Sequence, residues 1–209
     1  MTIIESTIAD NGVETDGGGI SNSGTLTLLN STVASNRATN SGGIASHSAA
    51  LLGGGIEAAM IAITTTIMDN RARSGVGGLS TLSGRAVMVN TILARNGTGL
   101  GSDCQGTVTS LGTNLIGDPT GCTITLQPSD LTGDPGLATF TDDGTPGNGH
   151  FRLLPTSQAI DAGNDTACPP TDQLGQRRIG RCDIGAIRFL DGTDRQHEED
   201  SATTAQTAQ

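Results

Sequence analysis

Four segments of this 209-residue chain repeat one pattern, a stretch rich in aliphatic and hydroxyl residues that ends in Asn. The segments read IIESTIADN, LNSTVASN, ITTTIMDN and VNTILARN, and they end at Asn11, Asn36, Asn70 and Asn96. These Asn residues follow one another at intervals of 25, 34 and 26 residues. A period of this size is typical of chains that stack one structural unit on the next. The fold must therefore place equivalent residues of successive units beside each other.

Three columns of residues recur at fixed distances before each Asn. One aliphatic residue stands three positions before it, another stands seven before it, and a Ser or Thr stands five before it. The columns are Ile8, Val33, Ile67 and Leu93; Ile4, Leu29, Ile63 and Val89; and Ser6, Ser31, Thr65 and Thr91. Because alternate residues of a strand share one face of the sheet, we expect all three columns to point the same way.

A glycine run followed by an aliphatic residue comes after each of the first three repeats. The runs are Gly18-Gly19-Ile20, Gly42-Gly43-Ile44 and Gly77-Gly78-Leu79. A period of two inside each unit, a longer period between units and glycine at the bends predict an all-β fold. The architecture indicated is a single-stranded parallel β-helix, a solenoid in which each turn lays its strands beside those of the previous turn. Helical repeats fit poorly, because Thr, Val, Ile, Ser, Asn and Gly dominate these segments.

Stacked turns bring like residues together at the spacing of neighbouring strands, about 4.8 Å. We therefore expect the four Asn residues to form a ladder in which each side-chain amide bonds to the next, and the Ser/Thr column to do the same inside. The 34-residue interval contains a further run, Gly54-Gly55-Ile56. This indicates an insertion near Ser46–Gly54, which we predict to be a projecting loop.

The charge and ring content of the chain exclude several kinds of partner. The net charge is −10, and all 11 basic residues are Arg; there are 3 Phe and no Trp or Tyr. Nucleic-acid binding needs clustered positive charge and aromatic stacking platforms, so we expect no nucleic-acid partner. An acidic surface also disfavours anionic membranes. No uncharged apolar run approaches the roughly 18 residues of a spanning helix, so we expect no membrane-spanning segment.

All four cysteines lie after the last repeat, at Cys104, Cys122, Cys168 and Cys182. No C-x-x-C pair is present, which disfavours a zinc ribbon. Four cysteines allow three connectivities. We favour Cys104–Cys122 and Cys168–Cys182, because each pair closes a short local loop, and disulfides indicate an oxidising compartment and hence export. Four buried free thiols are the alternative.

Five motifs of the C-terminal half together resemble the C-terminal region of bacterial surface proteins called choice-of-anchor Q domain proteins. The motifs are TSLGTNLIGD, GCTITLQPSDLTGDPGL, LLPTSQAIDAGN, ACPPTDQLGQRR and CDIGAIRF. The glycine-rich, Asn-ended repeats are similar to those of right-handed β-helix surface proteins, including the polymorphic outer membrane protein type. The resemblance covers residues 1–189. It implies a right-handed parallel β-helix of the pectate-lyase-like type, export, and attachment by an anchor that differs between members.

We divide the chain into three parts. Residues 1–100 are predicted to be β-helix coils, residues 101–189 a final coil with a loop-rich, disulfide-stapled C-terminal cap, and residues 190–209 a disordered tail. The first aligned segment begins at Ile3 with no capping element or signal peptide before it. We interpret Met1 as an internal start, so that the chain is a fragment, the product of a mis-called start or a piece of a longer surface protein; a cytosolic chain that begins here is the alternative.

Within the predicted cap, Asp161 and the pair Asp172-Gln173 are the polar residues that stand out. One interpretation is a carboxylate site with Arg177 or Arg178. The other is a buried ion pair and hydrogen bonds that hold the cap to the last coil. We favour the second.

Asp142 and Asp143 form the only adjacent acid pair in the predicted folded region, and His150 follows closely. Paired carboxylates are the minimum for glycoside hydrolysis, so these residues are weak catalytic candidates. The alternative is a turn, since Asp-Gly and Pro-Gly are turn dipeptides. The scattered histidines predict no metal site, and no motif predicts a cofactor.

The sequence thus favours a non-catalytic, exported cell-surface module with a structural or adhesive role. Its partner would be a glycan or a surface protein, and it would act as a monomer or as part of a longer chain. The alternatives are a carbohydrate-active β-helix enzyme, either a polysaccharide lyase or a glycoside hydrolase, and a fragment of such a protein.

Overall fold

The computed structural model describes residues 1–47, 58–98 and 103–191, and over these ranges the chain is all-β. The first strands are β1 (Thr2–Ile4), β2 (Thr7–Ala9), β3 (Ile20–Asn22), β4 (Thr25–Leu29), β5 (Thr32–Ala34), β6 (Arg37–Ala38), β7 (Ile44–His47), β8 (Ala58–Ile63), β9 (Thr66–Met68) and β10 (Arg71–Ala72). The others are β11 (Leu79–Val89), β12 (Ile92–Ala94), β13 (Gly97–Thr98), β14 (Cys104–Ser110), β15 (Leu115–Ile116), β16 (Cys122–Thr123) and β17 (Leu131–Thr132). One 3-10 helix, Asp165–Ala167, lies near the C-terminus.

The strands pair in parallel with their counterparts one repeat later and form three stacked sheets. The large sheet has the order β1-β4-β8-β11-β14-β16, with β3 and β7 joined to it through β11. The six-stranded sheet has the order β17-β15-β12-β9-β5-β2, and the three-stranded sheet has the order β13-β10-β6. This arrangement is compatible with the predicted solenoid, and β14 to β17 extend its sheets beyond residue 100.

The aliphatic column three positions before each Asn is confirmed as a stack of immediate neighbours. Val33 pairs in register with Ile67, and Ile67 pairs with Leu93. All three side chains are fully buried in the core between the sheets, with Leu26, Leu28 and other aliphatic residues.

The prediction that the column seven positions before each Asn shares that inner face is wrong. None of the four residues of this column belongs to the core cluster, whereas Leu28, one position earlier in the repeat, is fully buried in it. The inner column is therefore the one eight positions before each Asn, namely Ile3, Leu28, Ala62 and Met88. The reason is a left-handed bend six positions before each Asn, with φ between 45° and 51° at Glu5, Asn30, Thr64 and Asn90. Such a bend interrupts the alternation of a strand, so the faces on its two sides are displaced by one residue.

A second hydrophobic cluster lies on the other side of the six-stranded sheet. It joins outward residues of that sheet, such as Met68 and Ile92, to Phe151, Leu153 and Ile184 of the C-terminal segment, which we define as residues 134–191. The hydroxyl of Thr7 in the first repeat donates to the carbonyl of Gly149 at 2.7 Å. The segment predicted to cap the last coil therefore runs back along the side of the sheet to the first repeat.

Two disulfides join Cys104 to Cys122 and Cys168 to Cys182, the pairing that the sequence favoured, and no cysteine is free. The first links β14 to β16 across neighbouring strands, and the second closes a loop of the C-terminal segment. Disulfides persist in oxidising environments, so they are consistent with an extracellular location. Within the described ranges, no helix has the length and apolar character needed to cross a bilayer.

Candidate functional site

The Asn residues that end the repeats form a continuous hydrogen-bonded ladder. The Nδ2 of Asn11 donates to Oδ1 of Asn36 at 3.0 Å. Asn36 donates in the same way to Asn70 at 2.9 Å, and Asn70 to Asn96 at 3.0 Å. Each acceptor oxygen also receives the backbone N–H of the preceding Asn, at 3.0 to 3.1 Å. Because Asn36 and Asn70 are fully buried, these bonds satisfy polar groups that water does not reach.

The second glycine of each glycine run lies directly against this ladder. A Cβ atom at Gly19 would lie 2.8 Å from the amide nitrogen of Asn36, and one at Gly78 would lie 2.8 Å from that of Asn96. No side chain fits at these distances. The glycine runs and the Asn column are therefore two parts of one packing arrangement.

The ladder ends at Asp103, a residue that the sequence analysis did not single out. Its Oδ1 accepts the backbone N–H of Asn96 at 2.7 Å and the side-chain amide of Asn96 at 2.9 Å, as the next Asn would. Its Oδ2 accepts the N–H of Asp118 at 2.7 Å. An ionised carboxylate only accepts hydrogen bonds, so Asp103 passes no donor onward and closes the ladder. Burial raises the pKa of Asp103, although the donors from Asn96 and Asp118 act in the opposite direction.

This raised pKa predicts an unusual pH dependence of stability. Because the native pKa of Asp103 lies above the unfolded value of 3.8, its contribution to stability is present below pH 3.8 and is lost as the pH rises through the native pKa. We expect the difference in unfolding free energy between the wild type and Asp103→Asn to change across that window, as measured by urea titrations at a series of pH values.

Asp118→Asn is the control. The N–H and hydroxyl of Thr120 lower the pKa of Asp118, so the contribution of Asp118 to stability changes with pH in the opposite direction. Its contribution is present above pH 3.8 and is lost as the pH falls through its native pKa. A wild-type minus Asp103→Asn difference that stays constant with pH would contradict the prediction.

The Ser/Thr column lies inside but does not form the predicted side-chain ladder. The hydroxyls of Ser31, Thr65 and Thr91 donate instead to the main-chain oxygens two residues earlier, at 2.8, 3.1 and 3.0 Å. The left-handed bend between each pair brings this carbonyl within reach of the hydroxyl. Each hydroxyl thus satisfies a carbonyl of its own repeat, and that of Thr91 also lies 3.2 Å from the carbonyl oxygen of Ala62 in the preceding repeat.

Gln173 attaches the C-terminal segment to the first two repeats, not to the last coil as the sequence analysis expected. Its Oε1 accepts the hydroxyl of Thr32 at 2.6 Å. Its Nε2 donates to the hydroxyl of Thr7 at 3.0 Å and to the carbonyl of Gly149 at 2.8 Å. Thr7 and Thr32 are register partners on the outer face of the six-stranded sheet. Gln173 therefore forms hydrogen bonds to two neighbouring repeats at once.

Asp172 organises the chain around itself with hydrogen bonds to the main chain. Its Oδ1 accepts the N–H groups of Leu174 at 2.9 Å and Gln176 at 3.0 Å, and its Oδ2 accepts that of Arg188 at 3.1 Å. Its carboxylate is almost completely buried. These bonds favour the structural interpretation of Asp172 over a carboxylate site.

Asp161 is joined by a hydrogen bond of its main chain to Asp183, a residue that the sequence did not single out. The N–H of Asp161 donates to Oδ1 of Asp183 at 2.8 Å, and the N–H of Phe189 donates to Oδ2 at 2.6 Å. Burial raises the pKa of Asp183 and lowers that of Arg178, whose guanidinium donates to the carbonyl of Gly185 at 2.9 Å. Arg178, rather than the exposed Arg177, therefore belongs to this network.

Asp142 and Asp143 build a turn. Asp142 accepts the N–H of Gly144 at 2.8 Å, and Asp143 accepts that of Thr145 at 2.8 Å and the amide of Asn148 at 3.1 Å. These donors, Thr145 first, lower the pKa of Asp143. An acid with a lowered pKa is ionised at neutral pH and is poorly suited to act as a general acid.

The main chain of His150 pairs with that of Thr141, directly before the acid pair, with N···O distances of 2.9 Å. The His150 side chain lines a cleft of about 650 Å³ that Asp142 and Asp143 do not line. Its Nδ1 is 2.6 Å from the carbonyl oxygen of Asn148, which places a proton on Nδ1. The cleft walls are mainly apolar and include Leu153, Leu154, Leu174, Ile187 and Phe189. In the described ranges, no three His, Cys, Asp or Glu side chains gather as metal ligands.

The outer face of the large sheet presents two straight rows of side chains. One row runs Thr27, Ile61, Val87 and Thr109 across β4, β8, β11 and β14, in register at every step. The other row runs Thr25, Ala59, Arg85, Thr107 and Thr123. Most of these residues are exposed, including Ile61, Thr107 and Thr109. Successive residues of a strand point to opposite faces of the sheet. The residues that lie between the row members along each strand, such as Leu26 and Met60, therefore point into the core.

The predicted loop at Ser46–Gly54 lies outside the described residues from residue 48 onward, as does the predicted tail from residue 192. Comparison of the chain with protein-family models, with curated proteins and with solved structures finds no match.

Proposed function

We propose that this chain is a right-handed parallel β-helix that is exported and acts at the bacterial cell surface as a non-catalytic structural or adhesive module. The outer face of the large sheet carries the proposal. Apart from Arg85, its two in-register rows repeat hydroxyl and aliphatic groups at about the 4.8 Å spacing of neighbouring strands. A rigid surface with a repeated pattern suits a repeated partner, such as a glycan or another surface protein.

Three further observations support this proposal. Parallel strands stack in register, as in a β-helix. The two disulfides fit export. The motifs that resemble choice-of-anchor Q domain proteins point to attachment at the cell surface.

Binding of the labelled chain to a glycan array and to cultured cells tests the adhesive role. We expect binding, and we expect Ile61→Glu/Thr109→Glu to weaken it by about tenfold, because charge would be introduced into the centre of the contact. Ile179→Glu/Thr156→Glu introduces the same charge at exposed positions of the C-terminal segment and should leave binding unchanged. Absence of binding, or equal loss in both variants, would contradict the proposal.

A carbohydrate-active enzyme is the second candidate, and the cleft that contains His150 is the observation that favours it. The acid pair does not line this cleft. We therefore expect no cleavage of pectin-like polymers, with or without Ca²⁺, in an assay of newly formed reducing ends and unsaturated products. Cleavage that is removed by Asp143→Ala would overturn this expectation and establish the enzyme.

A further inference from the structure

Two arginines stand side by side on the outer face of the three-stranded sheet. Arg37 of β6 pairs in register with Arg71 of β10, and exposed Arg73 follows two residues after Arg71. In the part of the chain that the structure describes, none of the three guanidinium groups donates a hydrogen bond or forms an ion pair. We name Arg37, Arg71 and Arg73 the arginine surface.

This arrangement is unfavourable for the fold alone, since like charges directly opposite each other on neighbouring strands destabilise a sheet. It is also not forced by a shortage of acids, because the chain has 21 Asp and Glu against 11 basic residues. Arg95 shows the usual alternative, an ion pair in which its Nη2 lies 2.6 Å from Oδ2 of Asp69. Unpaired and stacked arginines in a strongly acidic protein therefore indicate a binding role.

The surroundings of the arginine surface leave room for a ligand. Gly12 and Gly97 are the neighbours of Arg37 and Arg71 at the two ends of the row. A Cβ at Gly12 would meet nothing within 4 Å, and one at Gly97 would meet only Cγ of Arg71 at that distance. A groove of about 300 Å³ lies beside them, lined by Gly12, Val13, Glu14, Arg37, Ala38, Thr39 and Arg73.

We propose that the arginine surface binds a carboxylate-bearing polysaccharide, an inference that goes beyond the function proposed above because it adds a ligand site on a different sheet. Arginine matches the geometry of a carboxylate with two parallel N–H donors. Stacked arginines suit a polymer that carries an acid group on successive sugars, and Glu14 in the groove supplies an acceptor for sugar hydroxyls.

A nucleic acid fits this surface less well than an acidic polysaccharide. Bases bind single-strand-binding proteins by stacking on aromatic rings. The groove contains no ring, and Phe140 and Phe151 pack with each other in the second hydrophobic cluster, with ring centroids 5.2 Å apart. Charge without stacking favours a sugar acid.

Binding to immobilised polygalacturonate tests the proposal, with neutral dextran and dextran sulfate as the other surfaces. We expect binding to polygalacturonate but not to dextran, and a loss of about tenfold or more in Arg37→Gln/Arg71→Gln. The melting temperature of this variant should stay equal or rise, because a like-charge contact is removed. Arg177→Gln/Arg181→Gln makes the same change of net charge at exposed positions elsewhere and should bind like the wild type.

Three results would overturn the inference. They are equal binding by both double variants, binding to dextran sulfate but not to polygalacturonate, and equally strong competition by a single-stranded oligonucleotide. A chain that binds cells but no acidic polysaccharide would remove this inference and leave the adhesive function intact. Binding to polygalacturonate without binding to cells or to the glycan array would contradict the adhesive function and leave this inference intact.

Discussion

Asn70→Ala is expected to lower the free energy of unfolding by about 4 kcal/mol, because it leaves two donors of Asn36 without an acceptor in the core. Oδ1 of Asn70 accepts the backbone N–H of Asn36 at 3.0 Å and its amide at 2.9 Å. Nδ2 of Asn70 also donates to the carbonyl of Val33 at 2.9 Å, and this bond is lost as well. Urea denaturation followed by circular dichroism measures the change.

Asn11→Ala is the matched control, because Asn11 stands at the exposed end of the same ladder. After this substitution Oδ1 of Asn36 keeps the backbone N–H of residue 11, and no buried donor loses its acceptor, so we expect a loss below about 1 kcal/mol. Asn70→Asp should also destabilise, since a carboxylate accepts but does not donate. Similar losses at Asn11 and Asn70 would contradict the role assigned to the buried ladder.

Gly43→Ala should lower the free energy of unfolding by about 3 kcal/mol, near the upper end for overpacking a core. Its Cβ would lie 2.6 Å from the carbonyl oxygen of Gly78 in the next repeat and 3.1 Å from the amide of Asn70. The first of these atoms is a backbone oxygen that accepts the N–H of Ile44 at 2.8 Å, so the repeats would have to separate to make room. The same denaturation experiment measures this loss.

Gly24→Ala provides the comparison for that substitution, because a Cβ at Gly24 would meet nothing within 4 Å. We expect its effect to stay within about 0.5 kcal/mol, as for ordinary surface changes. If Gly43→Ala were equally mild, the close approach of neighbouring repeats at the glycine runs would be in error.

The repeat spacing predicted the parallel pairing, because a solenoid makes each residue the neighbour of its equivalent one period away. The register of Val33 with Ile67 follows directly from the Asn spacing. The same spacing did not predict which residues face outward at the other end of each unit. The left-handed bend at Asn30 is compatible with several residue types, since Glu5 and Thr64 adopt it too, and so it leaves no clear pattern in the sequence.

The candidate site was predictable only in part. The scarcity of aromatic residues predicted that the chain has no rings on which bases could stack. The Asp-Gly and Pro-Gly dipeptides predicted a turn at Asp142 and Asp143, and the structure places both residues in a turn. Asp103 and Asp183 were missed because each stands outside the repeats. Their burial depends on segments that reach them from elsewhere, such as Asp118 and Phe189.

The sequence by itself determined the local and periodic features: strands, glycine bends, the Asn ladder and the inner aliphatic column. These features depend on contacts between equivalent positions one period apart, and such positions are recognisable because they recur along the sequence. Only the tertiary structure decided where the C-terminal segment lies. Gln173 meets Thr7 across 166 residues and Thr32 across 141 residues. No period links these positions, so their contact follows from the shape and polarity of the finished sheet face and not from any pattern along the chain.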